Sequence, residues 1–200
     1  MYRLVVFDLD GTLANTLCDL ANAVNAALKK YGLPTYPIER YNQFVGNGIN
    51  NLISQVLAEK ADDKELHKKV KAYFDDYYVD HLCDFTSAYD GMGQLLGALE
   101  RLPVKTAVHS NKPHIYVPTI LGKLYPEHKF EFAWGNQECY ERKPSPQALV
   151  EMMRMLDVEP SETLYVGDSD VDVMTAHSAF VKVCGVAWGF RGETELVSAG

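Results

Sequence analysis

No stretch of this 200-residue chain is apolar for long enough to cross a bilayer, so integral-membrane classes are set aside. The N-terminus lacks the basic-then-apolar pattern of a cleavable leader. Cysteine is scarce and scattered. Cys18, Cys83, Cys139 and Cys184 include no CxxC pair and no Cys/His spacing suited to zinc, which excludes a disulfide framework and a zinc module. Small thiols in a reducing, cytoplasmic setting are expected instead. Positive charge is short as well: 19 Lys and Arg face 27 Asp and Glu, for a net charge of −8. With no clustered Lys/Arg stripe, neither nucleic acid nor a membrane surface is an expected partner. Repeats and low-complexity segments are absent. A hydrophobic content of 47% in a chain of this length allows one well-cored domain, or a core with a smaller insert.

What is present is concentrated near the start. Leu4-Val5-Val6-Phe7 is short, uncharged and β-branched, and it reads as a buried strand. Asp8 and Asp10 follow it two residues apart, ahead of Gly11-Thr12. Side chains at that spacing on a strand point the same way, and Gly11 lets the chain turn after them. Two like charges so placed repel unless a cation, such as an oxygen-seeking metal, lies between them. An aspartate is also a competent covalent nucleophile towards phosphorus. Turn formation and helix capping are the commoner uses of aspartate at strand ends, so the rest of the chain must carry the distinction.

Beyond Leu13 the pattern becomes helical. Leu17, Leu20, Ala21, Val24, Ala27 and Leu28 recur at helical spacing up to Tyr31-Gly32. Further helices are expected from Tyr36 to about Phe44, over 50–59 and over 63–81, with Gly46-Asn47-Gly48 as a turn. No strand is expected from Ala14 to Tyr89. This insert far exceeds the dozen or so residues that a parallel-sheet crossover needs, and it is apolar enough to form a small helical bundle. Strands over 104–109, 130–134, 163–166 and 181–186 then alternate with helices over 91–101, 113–124, 145–156 and 171–178. That alternation predicts an α/β fold, a Rossmann-like parallel sheet with helices on both faces. The expected division is a core domain over 1–14 and 87–200 and an all-α insert over 15–86.

In such sheets ligands bind beyond the carboxyl ends of the strands. Polar residues fall at those places: Asp8 and Asp10, then Ser110-Asn111-Lys112, then Gly167-Asp168-Ser169 with Asp172 one helical turn on, and Lys143 ahead of a helix. Asp8 and Asp168, with a backbone carbonyl near Asp10, are suited to Mg²⁺, which takes few carboxylates and keeps room for a substrate phosphate. Ser110 and Asn111 are candidate donors to phosphate oxygens. Lys143 is a candidate point cation for the charge around a nucleophile and a phosphoryl group. Asp172 and its neighbour Ser169 are placed to orient Lys143 or the waters of the metal. His109 and His114 have no ligand partner nearby in sequence and read as satisfied structural histidines.

In this order the motifs resemble those of the haloacid dehalogenase superfamily, specifically its phosphoglycolate phosphatase-like branch. Asp8-Leu9-Asp10-Gly11-Thr12, Ser110-Asn111, Lys143, and Gly167-Asp168-Ser169 with Asp172 match its four motifs in turn. The resemblance implies a Rossmann-like core with a helical cap inserted after the first motif. It further implies that Asp8 attacks phosphorus, that Asp10 is the general acid and base, and that Val45-Gly46-Asn47-Gly48 is a cap segment facing the substrate. The expected activity is Mg²⁺-dependent hydrolysis of a small phosphorylated metabolite. The rivals are a phosphosugar mutase on the same fold and a non-catalytic phosphate- or metal-binding regulator. The sequence names neither the substrate nor the oligomeric state.

Overall fold

The structure, a computed structural model, describes all residues, Met1–Gly200. It divides into two compact units, Met1–Asn15 with Ala88–Gly200, and Thr16–Ser87. None of its helices is long and apolar enough to cross a membrane.

The larger unit is built on a five-stranded sheet. Its strands are β1 (Leu4–Phe7), β4 (Lys105–Pro113), β5 (Phe132–Asn136), β6 (Thr163–Gly167) and β7 (Lys182–Gly185), in the order β5-β4-β1-β6-β7. Every pairing is parallel. β1 is therefore central, and all four of its residues are buried, as expected of a strand covered on both faces. Leu4 and Val6 pack on one face with Ala107, Leu149, Met152, Tyr165 and Ala176. Each Leu or Val so buried contributes roughly 1.5–3 kcal/mol of transfer free energy. The helices are α5 (Met92–Leu99), α6 (Val117–Leu124), α7 (Gln147–Leu156), α8 (Asp170–Ser178) and α9 (Glu193–Ala199). The chain goes from β1 to β4 and β5 on one side, then returns to β6 and β7 on the other. This reversal beside β1 is the switch point at which open α/β sheets place ligands.

The smaller unit contains α1 (Leu17–Lys30), α2 (Tyr41–Phe44), α3 (Ile49–Leu57) and α4 (Lys64–Asp80). α1 buries Leu20, Ala21, Ala23, Val24, Ala27 and Leu28, one stripe at helical period. It ends where Gly32 takes φ +65°. There Gly32 N–H bonds to Lys29 O and Leu33 N–H to Leu28 O, the paired bonds of a left-handed helix stop that favours glycine. Inside this unit the buried Asp19 carboxylate accepts from the N–H groups of Phe85 and Thr86 and from Thr86 Oγ1, at 3.0, 2.8 and 2.7 Å. The end of the insert is thereby tied to its beginning.

Several details differ from expectation: α9 was not expected, and the helix expected over 36–44 begins only at Ile38, its first turn 3₁₀. Two-residue strands, β2 (Ala14–Asn15) and β3 (Ser87–Ala88), flank the insert where no strand was expected, because two residues cannot display an alternating pattern. β4 runs on to Pro113, so Ser110, Asn111 and Lys112 lie within it; its register against β5 shifts between His109 and Pro113. Their polar side chains broke the apolar run from which the strand was read.

Candidate active site

Asp8 follows the last residue of β1 and stays in the ladder, its N–H donating to Val166 O at 2.9 Å. The chain then turns tightly. Leu9 O accepts from the N–H groups of Thr12, Leu13 and Ala14, while Gly11 takes φ +88°. A Cβ on Gly11 would lie 2.3 Å from Asp168 Oδ2, so glycine is required here both for its conformation and for the carboxylate beside it.

Asp168 comes one residue after β6. Thr12 Oγ1 donates to its Oδ1 at 3.3 Å and Phe190 N–H to its Oδ2 at 2.8 Å. Ser169 caps α8 by accepting from Asp172 N–H, and Asp172 Oδ2 accepts in return from Ser169 N–H and Oγ. This reciprocal box leaves Asp172 Oδ1 for Lys143, whose Nζ lies 2.7 Å away. The same ammonium is 2.9 Å from Asp8 Oδ1. That approach is off the hydrogen-bonding directions, so the oxygen has a counter-charge but no aligned donor. Carboxylate oxygens of Asp8, Asp168 and Asp172 lie within 4.8 Å of one another.

The structure thus brings Asp8, Asp168, Asp172, Ser169 and Lys143 together. It also gives Asn111 a task the sequence did not reveal. Its side-chain amide donates to Lys143 O at 3.2 Å and accepts from Lys143 N–H at 2.8 Å, clamping the backbone that carries the lysine. Ser110 is buried, and its Oγ accepts from Lys112 N–H. The Asp10 carboxylate stands outside the three-carboxylate cluster and pairs with Lys112 Nζ at 3.1 Å. Gly46, Asn47 and Gly48 belong to the other unit, where φ values of +121° at Gly46 and +79° at Gly48 call for glycine. His109 is buried beside Tyr165 and His114 accepts from Gly135 N–H, both structural placements.

Sequence reasoning named Thr12 and Lys112 within their motifs but gave them no role, and gave none to Gly189. Lys112 adjoins Ser110-Asn111, and a lysine continuing a buried strand was a usable signal. Nothing local marked Gly189, whose Cβ would fall 2.2 Å from Asp168 Cβ.

The electrostatics call for a cation. With all four ionised, the carboxylates of Asp8, Asp10, Asp168 and Asp172 would exceed the two ammonium groups of Lys112 and Lys143 by two negative charges. Burial, with Asp172 and Asp10 adding to it against the opposing Lys143, pushes Asp8 up from 3.8 to about 7. Burial and the charges of Asp8 and Asp172 push Asp168 up from 3.8 to about 8. Burial alone would lower Lys143, but Asp172 and Asp8 hold it well above its ordinary value. Burial and the Lys143 charge bring His109 down from 6.5 to about 3, so it adds no further positive charge. A divalent cation would match the excess charge and add a second positive partner for Asp8 Oδ1 beside Lys143.

Comparison with known proteins agrees with this geometry. Residues 5–186 match the family model of the haloacid dehalogenase-like hydrolases. The chain is 36% identical over 196 residues to a phosphoglycolate phosphatase of Haemophilus influenzae, covering 95% of this chain and 88% of that protein. It is 33% identical over 194 residues to phosphoglycolate phosphatase 1 of Pseudomonas aeruginosa, covering 94% and 71%. The crystal structure of a predicted phosphoglycolate phosphatase from Haemophilus somnus superposes with a TM-score of 0.92 at 31% identity, over 99% of this chain and 91% of that one. By the family model over most of its length and by relatives more than 30% identical, the chain belongs to the haloacid dehalogenase-like hydrolase family, in its phosphoglycolate phosphatase-like branch.

Proposed function

We propose that the protein is a Mg²⁺-dependent phosphatase of small phosphomonoesters, with phosphoglycolate the leading substrate by analogy with the relatives that bear that name. The observation that carries this reading is Asp8: buried, at the end of β1, with an oxygen that has no aligned donor. Asp8, Asp168 and the backbone carbonyl of Asp10 would hold the cation. When bound, Mg²⁺ supplies positive charge to the phosphate oxygens and cancels the excess negative charge of the carboxylates.

The chain's own residues then account for two displacements. Asp8 attacks phosphorus, an O–P bond forms, and the bond to the leaving oxygen breaks. Asp10 delivers a proton to that oxygen as it departs. Asp10 next takes a proton from water, which attacks the aspartyl-phosphate and returns Asp8 as a carboxylate. Lys143 neutralises the charge shared between nucleophile and phosphoryl group. Ser110 and Asn111 bind phosphate oxygens, while the amide of Asn111 also keeps Lys143 in place. In this reading the insert is a cap, and Gly46, Asn47 and Gly48 read the organic group. All four cysteines are free thiols, which fits the cytoplasm as the working compartment.

The test is phosphate release from a panel of phosphorylated metabolites, including phosphoglycolate, sugar phosphates and nucleotides, with Mg²⁺ and with chelator. Phosphate released only with Mg²⁺ is the expected result. A rearranged isomer without free phosphate would identify a mutase, and no turnover of any compound would identify a binding protein.

A further inference from the structure

Lys143 is fixed at both ends. Asn111 holds its backbone, and Asp172 and Asp8 attract its ammonium group. Between them lies a surface that these contacts do not explain. Tyr165 is fully buried, and Lys143 Nζ stands over its ring, 5.8 Å from the centroid. That is within the range where an aromatic face attracts a cation, most strongly away from water. Tyr165 is on β6, level with Val6 of β1. Its hydroxyl reaches beyond β1 to donate to the backbone oxygen of His109 on β4, at 3.1 Å. The His109 ring packs edge-on against it, at 6.1 Å and 85°. Packing alone asks only for apolar volume here, which phenylalanine or leucine would provide. A hydroxyl tied across the central strand, and a cation above the ring, are additional to packing.

We propose that Tyr165 is a positioning residue for Lys143: its ring carries the ammonium group between Asp8 and Asp172, and its bond to His109 O keeps the ring in place. This rests on the phosphatase reading, in which Lys143 neutralises charge at the nucleophile. When Asp8 bonds to phosphorus its charge passes towards the phosphoryl oxygens, and the attraction that held Lys143 towards Asp8 weakens. The balance of attractions would then shift towards Asp172 and draw the ammonium back. The ring opposes that withdrawal at the moment the charge is needed, so its effect falls on kcat.

The experiment is a double-mutant cycle between Tyr165 and Lys143 on an aryl phosphate in saturating Mg²⁺, with thermal unfolding measured on each protein. Tyr165→Phe, which loses only the tether, should lower kcat about 3-fold. Tyr165→Leu, which loses the ring as well, should lower it roughly 10-fold or more. KM should stay within about twofold for both, since substrate binding is not what is lost. In a Lys143→Met background neither change should lower kcat further, because nothing is left to position. Losses that multiply with that of Lys143→Met, or full kcat in both Tyr165 variants, would overturn the proposal. If Tyr165→Leu does not fold, Tyr165→Met, which also lacks the ring, takes its place in the cycle, and Tyr165→Phe decides the tether. No turnover by the unsubstituted protein would instead refute the phosphatase reading.

Discussion

The excess negative charge at the site makes stability depend on Mg²⁺ and pH together. The perturbation is removal of the cation by chelator across about pH 5.5 to 8.5. In the metal-free protein Asp8 titrates at about 7 and Asp168 at about 8, against 3.8 for both in the unfolded chain. Both are raised, so the folded state keeps protons that the unfolded state has released. That stabilisation is whole below the unfolded value and is lost as pH rises through the folded values. Each retained proton lowers the unfolding free energy by about 1.4 kcal/mol per pH unit. For a chain of this size that is roughly 3–6 °C in Tm per pH unit. Bound Mg²⁺ favours both carboxylates as anions and removes the dependence. The gap in Tm between Mg²⁺ and chelator should therefore widen by at least about 3 °C from pH 6 to 7 and level off above the Asp168 value. Thermal unfolding followed by circular dichroism in paired buffers reads it directly. A gap that stays constant over this range, or a metal-free Tm that climbs with pH, would refute the charge argument.

Other consequences are narrower. Asp10→Asn should lower kcat on an alkyl phosphate by about 10²–10⁴-fold, and by less on an aryl phosphate, whose leaving oxygen needs little protonation; steady-state assays with both substrates check the difference. Gly189→Ala should push Asp168 aside, since the added Cβ meets it at 2.2 Å, and weaken Mg²⁺ affinity by about 10–100-fold, measured by calorimetric titration. Changes at Gly46, Asn47 or Gly48 should reorder the preferred substrates in a metabolite panel while altering turnover of a small aryl phosphate much less.

What the sequence revealed follows from how local each feature is. The β1 run is four buried residues in succession, and Asp8 and Asp10 follow it directly, so strand and carboxylates were readable together. Asp168, with Asp172 one helical turn on, was readable because the alternation of strands and helices indicated where that strand ends, whereas Lys143, ahead of a helix, was readable only through the order of the motifs and the family they resemble. The spatial pairs were not readable. Asn111 gripping the backbone of Lys143, Lys112 meeting Asp10, and Gly189 making room for Asp168 each join residues from distant stretches, and no periodicity in one sequence encodes such a meeting. The continuation of β4 through Ser110, Asn111 and Lys112 was hidden for another reason. Those residues stay extended while their side chains serve the site, so the apolar pattern stops before the strand does.

The central claim is that Asp8 carries the phosphoryl group during turnover. The direct measurement is intact-protein mass spectrometry after acid quench, on Asp10→Asn and Asp8→Asn proteins mixed with an aryl phosphate and Mg²⁺. Asp10→Asn keeps the nucleophile and lacks the base that activates water, so a phosphorylated species should accumulate, with the added mass mapping to Asp8. Asp8→Asn should remain unmodified. Phosphate on the Asp8→Asn protein, or an unmodified Asp10→Asn protein that nonetheless releases the aryl group in its first turnover, would contradict the account.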